Sequence, residues 1–473
     1  MKKIIAATAL IGSAVSAQAA DLPTKAPYYK APVIQVYNWT GFYAGVNAGA
    51  GFGRSNTIVA APGVADTTRL GGIGGVGGAQ IGYNWQFGNF LGFGNLVLGV
   101  ETDIQGAGLN DDRTCFNGTS CSLGGGYDLN QKIDWFGTAR GRVGLATGSV
   151  LTYFTGGFAY GNVKTTFSNS VTPADSLALS STRTGWTVGS GVEAALGGNW
   201  TGKVEYLYID LGNQNGVTPV TGIGVGSDVR ASVFRAGLNY RIGGTGIYAP
   251  EPIANWSGFY IGGNGGGGTA LNRSSLNVPG VASTNKFNLS PDGYIAGAQI
   301  GYNWQAANWV YGLEADIQGS SLQDDRVCIL TCSNTQFVSY DQKLQWFGTV
   351  RGRVGYSLGS TLFYGTGGLA YGSVKTRIQE TATGLGIAGF DQTFDKTKTG
   401  YTVGGGIESP FEFMGMFGKN WTAKTEYLYV DLGRTTDTYT VGGIDHTFST
   451  RVQEHIFRTG LNYHFNSPIV AKY

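Results

Sequence analysis

Sixteen ionisable residues recur as two sets of eight, each with four acids and four bases. Both sets lie in segments where apolar and polar residues alternate, so we expect the charged side chains of a set to share one face. Glu101 and Glu205 could form the acid pair of a glycosidase, but basic neighbours would keep both ionised, and that reaction needs one of them protonated. The sets are Glu101, Asp103, Arg140, Arg142, Glu193, Lys203, Glu205 and Arg235, then Glu314, Asp316, Arg351, Arg353, Glu408, Lys424, Glu426 and Arg458.

Charge-balanced sets of this kind have two further interpretations. A buried ion is tolerated only when it is paired, so each neutral set could fill a narrow interior as a structural plug. The same residues could instead line a conducting pore and select ions, as charged rings do in channels. Both interpretations use the same residues, and we favour the plug.

Other catalytic chemistry has weaker support. The histidines, His446, His455 and His464, all fall in the second half of the chain, whereas acid–base and nucleophilic catalysis commonly need a histidine or an activated nucleophile with an orienting acid. The glycine runs Gly71–Gly78 and Gly262–Gly268 resemble phosphate loops but lack a following helix and Lys-Ser/Thr. We predict that the protein is not an enzyme and uses no cofactor.

The four cysteines form two close pairs in corresponding positions, Cys115/Cys121 and Cys328/Cys332. In an oxidising compartment each pair could close a small loop through a disulfide. A metal site is the alternative, but no histidine lies nearby and two thiolates are too few for zinc. We therefore expect local disulfides and no metal.

The segments that would position the charges have one apolar face. Along 79–86, and again along 135–143 and 200–208, apolar or small residues alternate with polar ones, as in a β-strand with one buried face and one polar face. In the first segment the apolar face carries Ala79, Ile81, Tyr83 and Trp85, and the opposite face carries Gln80, Gly82, Asn84 and Gln86.

The sequence also contains an internal duplication. NWTGFYAG at Asn38–Gly45 returns as NWSGFYIG at Asn255–Gly262, and WFGTARGRVG at Trp135–Gly144 returns as WFGTVRGRVG. The repeat of about 200 residues is too long for a solenoid unit and matches a whole domain. We assign residues 38–242 to repeat 1, 243–254 to a linker, 255–465 to repeat 2 and 466–473 to a C-terminal extension.

The N-terminus has the features of a secretory signal. Lys2 and Lys3 precede an apolar run, and Ala17-Gln18-Ala19 supplies small residues for cleavage after Ala19. The apolar run is too short to span roughly 30 Å of hydrocarbon as a helix. We expect residues 1–19 to be a signal peptide and residues 20–37 to form a periplasmic segment.

The composition favours strands in a membrane. Only 13% of residues are charged and 13% are aromatic, with 80 glycines in 473 residues, whereas soluble domains average about 25% charged residues. Removing Lys2 and Lys3 takes the formal charge from +2 to 0, which excludes an electrostatic case for nucleic acid. A soluble sandwich remains the alternative, but an apolar face toward lipid with aromatic girdles predicts an all-β transmembrane barrel.

Each repeat contains eight predicted strands joined alternately by long loops and short turns, which indicates an antiparallel up-and-down barrel. Two tandem eight-stranded barrels and one sixteen-stranded barrel are both possible. The self-contained charge set of each repeat favours two barrels, because a wide water channel needs no such neutrality. The first eight strands are expected near Phe42–Gly51, Gly77–Trp85, Leu96–Gln105, Ile133–Gly144, Val150–Val163, Gly185–Ala194, Trp200–Leu211 and Arg230–Ile242.

Together these motifs resemble a known family. NWTGFYAG, the Trp-Phe-Gly-Thr-x-Arg-Gly-Arg strand, TGGxAYG (Thr155–Gly161 and Thr366–Gly372) and the closing LNY strand are similar to the porin-like or opacity-type outer-membrane β-barrel domain of rhizobia and their pathogenic relatives. The resemblance implies an eight-stranded barrel in the cell outer membrane, with roles in envelope integrity, surface exposure and host contact. The duplication departs from the simple family pattern, and so does the tail after Phe465.

The expected function is that of a structural, surface-exposed envelope protein, and a porin for small hydrophilic solutes is the alternative. Its expected partners are outer-membrane lipid and lipopolysaccharide, the outer-membrane assembly machinery and host or surface ligands of the long loops. An outer-membrane strand signal normally ends in an aromatic residue, and either Phe465 or Tyr473 could supply it.

Overall fold

The computed structural model describes ten stretches of the chain. The signal peptide, residues 20–36, linker residues 244–252 and the tail from 467, with Tyr473, lie outside the described residues. So do Cys121, Cys328 and Cys332 and the side chain of Cys115, so the disulfides stay a prediction. The described stretches are 37–61, 64–90, 94–116, 127–169, 172–243, 253–279, 285–327, 336–382, 387–411 and 418–466.

The described residues form antiparallel strands and one short 3₁₀ helix, Pro173–Asp175. Repeat 1 contains β1 Gly41–Gly53, β2 Ser55–Ala61, β3 Val64–Leu70, β4 Ile73–Asn89, β5 Asn95–Phe116, β6 Tyr127–Thr147, β7 Val150–Asn169, β8 Leu177–Gly197, β9 Trp200–Val217 and β10 Gly224–Ile242. Repeat 2 contains β11 Gly258–Ala270, β12 Asn272–Asn277, β13 Asn285–Leu289, β14 Asp292–Ala306, β15 Trp309–Ser320, β16 Gln323–Val327, β17 Gln336–Leu358, β18 Thr361–Ala382, β19 Ile387–Pro410, β20 Trp421–Val441 and β21 Ile444–His464.

Each repeat closes into its own ring of eight strands. The first ring runs β1-β4-β5-β6-β7-β8-β9-β10, and β10 pairs back onto β1 with Tyr240 opposite Ala44. The second runs β11-β14-β15-β17-β18-β19-β20-β21 and closes with Tyr463 opposite Ile261. Two tandem barrels are therefore confirmed and the sixteen-stranded alternative is wrong, because the last strand of each repeat bonds to the first strand of the same repeat.

The strand faces divide as the alternation predicts. Ile81 is 49% exposed on the outer wall, whereas its neighbour Gln80 is 4% exposed and points into the barrel. Aromatic residues such as Trp85 and Trp304 lie on the outer face near the strand ends. This outward apolar band with aromatic ends suits a bilayer.

The strands extend farther outward than the sequence indicates. Between the first two predicted strands, where one of the long loops is expected, β2 and β3 pair with each other, and β2 also pairs with the outer end of β10. Inward side chains at this level pack into apolar clusters that include Leu129 and Phe167 in barrel 1. At this level the outward side chains face water and the inward ones are apolar, so the alternation runs opposite to that of the lipid-facing band and sequence reasoning places the strand ends too early.

The two barrels touch along a seam formed by β9 and β10 against β20 and β21. The ring centroids of Phe234 and Phe457 are 5.3 Å apart. Tyr206 lies 5.7 Å from Phe457, and Phe234 lies 5.6 Å from Tyr427. In the repeat alignment Phe234 corresponds to Phe457, and Tyr206 corresponds to Tyr427. The two equivalent phenylalanines thus contact each other, and each of the two tyrosines contacts the phenylalanine of the other barrel. Such reciprocal contacts are the pattern of a two-fold interface.

A second self-pairing position lies farther out. Gly71 corresponds to Ser290, and a Cβ added at Gly71 would lie 2.9 Å from the Ser290 hydroxyl oxygen. A salt bridge between Arg54 and Asp292 also crosses between the barrels. A pseudo-two-fold axis along the membrane normal accounts for both self-pairing positions and keeps the outer ends of the two barrels on the same side.

The seam predicts a specific crosslink. In a cysteine-free background, we expect Gly71→Cys with Ser290→Cys to form a disulfide, because the two side chains would be in contact. Cutting the linker with a protease and running the fragments without reductant measures it, since linked fragments migrate together.

The matched control is Ile104→Cys with Ile317→Cys, another equivalent pair whose side chains are 56% and 55% exposed on the outer wall. We expect no bond there. Fragments that separate in both variants would show that the barrels do not pack through this seam.

Candidate functional site

All sixteen charged residues predicted from the sequence lie inside the barrels. Each is at most 5% exposed, and each set of eight gathers in one layer of its own lumen. Strands β5, β6, β8, β9 and β10 supply the layer in barrel 1, because inward positions alternate along each strand. The residues that the sequence places on one face thus form a three-dimensional cluster in each lumen.

Two arginines bridge two acids at the centre of barrel 1. Arg140 donates to Asp103 at 2.9 Å and to Glu205 at 3.0 Å, and it also pairs with Glu101. Arg235 donates to the same Asp103 at 2.8 Å and to Glu205 at 2.6 Å. Such charge-assisted bonds are the strong ones, and here two arginines and two acids pair with one another.

The remaining charges pair around this centre. Lys203 lies 2.8 Å from Glu101, and Arg142 donates to Glu193 at 2.7 Å. Glu193 also accepts hydrogen bonds from Asn239 at 2.9 Å and from a threonine hydroxyl. The set is therefore neutral and each of its charged residues has an ionic partner.

Barrel 2 reproduces the centre almost without change. Arg351 lies 2.9 Å from both Asp316 and Glu426. Arg458 lies 2.8 Å from Asp316 and 2.7 Å from Glu426. The same network has thus been kept in both copies, and its outer pairs are Lys424–Glu314 at 2.8 Å and Arg353–Glu408 at 3.0 Å.

One member of the second network has no counterpart in the first. The imidazole Nε2 of His464 lies 3.0 Å from a Glu408 carboxylate oxygen. The equivalent residue in repeat 1 is Arg241, whose guanidinium instead lies 4.8 Å from the ring centre of Tyr37 and bonds to backbone oxygens. The position is tolerant because it lies at the edge of the ion layer.

Sequence reasoning missed the tyrosines of the network. Tyr43 donates its hydroxyl to Glu101 at 2.8 Å, and Tyr153 donates to Glu205 at 3.0 Å. The parity of β1 was the available signal, since Phe42 faces outward and Tyr43 must then face inward. Glycines make the room, because a Cβ at Gly82 or Gly191 would overlap these tyrosine rings. Tyr260 and Tyr364 repeat the arrangement in barrel 2.

Apolar layers lie on both sides of the ions. On the outer side Leu109, Ile133 and Phe136 belong to a buried cluster in barrel 1. On the periplasmic side the tryptophan of the NW motif turns inward, and Trp39 and Trp256 are 1% and 0% exposed. The motif that marks the start of each repeat therefore helps to fill the inner end of its lumen.

Within the ten described stretches no group of three or more potential ligands could hold a metal ion. Over the same stretches no helix is long and apolar enough to cross a membrane.

Outside the membrane one carboxylate links two loops. Asp175 accepts hydrogen bonds at 2.9 Å from the backbone amides of Val220 and Thr221, and the Thr221 hydroxyl donates to it as well. Burial opposes ionisation of Asp175, but these hydrogen bonds outweigh it and lower its pKa to about 2. The link is therefore complete above about pH 4 and is lost only as the pH falls toward 2.

The closed rings, apolar outer bands and ion-filled lumens define a transmembrane β-barrel protein with two barrels in one chain. The family model described as outer membrane protein beta-barrel domain matches residues 5–241 and again residues 246–465. The chain belongs to this family, which places it in the outer membrane.

Relatives match one repeat at a time. The chain is 38% identical over 257 residues to the 31 kDa outer-membrane immunogenic protein of Brucella melitensis biotype 1, a match covering 51% of this chain and 100% of the relative. It is 34% identical over 185 residues to the 22 kDa outer membrane protein of Rhizobium leguminosarum bv. viciae, covering 38% and 66%. Among solved structures, Ail of Yersinia pestis aligns at 13% identity over 44% of this chain and 99% of its own, with a TM-score of 0.19.

The network predicts a large cost for removing one of its central cations. We expect Arg140→Met to lower the free energy of unfolding by about 3–5 kcal/mol, because Glu101, Asp103 and Glu205 would remain buried without their shared partner. Urea unfolding of the refolded full chain in lipid vesicles measures this.

Lys132→Met is the control, since Lys132 is half exposed and its pair with Asp134 lies in water. Its loss should cost no more than about 1 kcal/mol. Equal effects of the two variants would mean that the lumen ions are not a mutually dependent buried network.

Proposed function

We propose that this chain is a non-conducting structural protein of the outer membrane, with its long outer ends displayed at the cell surface. The observation that carries the proposal is the neutral ion layer, held between apolar layers in each lumen, in which every charged residue has an ionic partner. Ions that satisfy one another leave no unpaired charge to bind a passing solute. A barrel filled in this way is a rigid structural element of the membrane.

A passive porin would need a different interior. An eight-stranded ring is just wide enough for side chains to fill, whereas porins of sixteen or more strands keep a water channel. Here Arg140 and Arg235 reach across to acids on other strands and are at most 3% exposed. Opening a path would break several charge-assisted bonds at once, so we assign these residues to stability rather than to ion selection.

The outer ends suit display at the surface. Strands such as β5, of 22 residues, continue well past the 9–11 residues that span a bilayer. The extended barrel would thus hold its loops away from the membrane. Two relatives named as outer-membrane immunogenic proteins support exposure of the corresponding surface here. We propose lipopolysaccharide around the barrels and host or surface ligands at the loops as partners.

For assembly we propose Phe465 as the terminal aromatic signal. It follows directly after β21, is 58% exposed, and its ring lies 5.5 Å from that of Tyr463 on the outer wall. Its backbone amide donates to the carbonyl oxygen of Phe259, so Phe465 continues the pairing of β21 with β11 that closes barrel 2.

The plug predicts electrical silence. We expect the refolded mature chain to give no steady conductance steps in a planar bilayer, because each lumen is filled by paired ions. A sixteen-stranded porin in the same bilayer is the positive control. Steady, ohmic steps that change their ion preference when Arg140 and Arg351 are both replaced by Ala would make the charges a selectivity lining and overturn the proposal.

The envelope role predicts a phenotype for loss of the chain. We expect a deletion strain to become more sensitive to detergents, since the membrane loses a rigid component, and the full-length gene to restore resistance. Survival curves in increasing detergent measure this. An unchanged envelope and unchanged surface contact in the deletion strain would remove the structural role while leaving the conductance result intact.

A further inference from the structure

An apolar groove runs beside the seam between the barrels. Its volume is about 670 Å³, and both barrels line it with residues of their outer walls. Barrel 1 contributes small side chains, chiefly Ala48, Ala50 and Ala236, and barrel 2 contributes larger ones such as Val354, Phe363 and Ile407. The barrels therefore touch through aromatic rings at the seam and stand apart next to it.

The groove lies in the inner half of the membrane. Trp309 and Tyr356 line one end of it, beside the short turns that join β14 to β15 and β17 to β18. Short turns mark the periplasmic side of outer-membrane barrels, and Trp and Tyr sit at membrane–water interfaces. Phe234, Phe457 and Tyr427 close the other end, because they form the seam itself.

The walls offer hydrocarbon contact rather than charge. Glu205, Arg235 and Glu426 belong to the lining, but their side chains are at most 3% exposed and pair inside the lumens. What they present to the groove is backbone. A dry apolar cavity of about 150 Å³ already binds benzene, and this groove is several times larger. Left empty among lipids, its walls would lose their dispersion contacts.

We propose that the groove binds one acyl chain of a phospholipid from the periplasmic leaflet. The acyl chain enters past Trp309 and Tyr356, whose rings mark the depth of the lipid ester groups, and ends against the aromatic seam. An acyl chain of one leaflet is about 15 Å long, half of the hydrocarbon thickness of about 30 Å. Ala48 and Ala236, which lie opposite each other on β1 and β10, form the flat wall it packs on.

The lipid then becomes part of the contact between the barrels. It fills the space that the aromatic contacts leave open, so the pair can pack without a void in the inner half of the membrane. The proposal rests on the seam and does not depend on whether the lumens conduct.

The test is phospholipid retention by the full chain. The protein is extracted in mild detergent, incubated with phosphatidylethanolamine or with lipopolysaccharide, and weighed by native mass spectrometry. We expect the wild type to retain one phosphatidylethanolamine. The variant Ala48→Phe with Ala236→Phe fills the groove, and we expect its retention to fall at least tenfold.

The matched control is Ala79→Phe with Ala139→Phe, which adds the same bulk at exposed alanines that do not line the groove. It should retain the lipid as the wild type does. Equal retention by the groove variant, equal loss in the control, or retention of lipopolysaccharide alone would each overturn the proposal.

A second measurement needs no substitution. Phosphatidylethanolamine with a photoreactive acyl chain is activated in vesicles that contain the wild-type chain, and the labelled peptides are mapped. We expect labels on the peptides of Ala48–Ala50 and Gly405–Ile407 to exceed those on Ile104 and Ile317, which face bulk lipid. Even labelling of the whole outer band would show that no chain is held in the groove.

Discussion

Pairing of buried charge is the constraint on which this structure depends. An ion placed inside a narrow barrel in hydrocarbon costs several kcal/mol unless other groups satisfy it. Each lumen meets this requirement with four acids and four bases, in which Arg140 and Arg235 share Asp103 and Glu205. The inward tyrosines donate to the same carboxylates, and inward glycines leave room for their rings. The high glycine content is thus partly a consequence of the ion layer.

The self-sufficiency of each lumen explains how the duplication is accommodated. Because each ring is neutral inside and closed by its own strands, neither barrel needs the other to pair the buried charges of its lumen. The outer walls are then free to meet, and they do so through Phe234 and Phe457, which are the same position in the two repeats. The equivalence is incomplete farther out, where Arg54 pairs with Asp292 but Leu271 stands at the position equivalent to Arg54.

The sequence reveals some features of the site more readily than others. The inward placement of Arg140 and Arg142 followed from alternation in an unbroken motif, and the structure places both in the lumen. Tyr43 obeys the same alternation, but it belongs to a motif rich in aromatic residues, which resembles a lipid-facing girdle. The sequence therefore does not mark it as a member of the ion network. Trp39 could not be assigned, because it precedes the first strand and alternation has no meaning there. The partnership of His464 with Glu408 joins residues 56 positions apart and needs the closed ring.

By itself, the sequence determined the repeat, the strands, the faces of the strands and the neutrality of each charge set, because these depend on local spacing and on composition. Only the tertiary structure decided between two rings and one, since ring closure is a choice of hydrogen-bond partner that the residue pattern allows either way. It alone decided which acid pairs with which base, because those distances depend on strand register. It also decided the seam and the groove, because an outward phenylalanine facing lipid and one facing another barrel have the same local pattern.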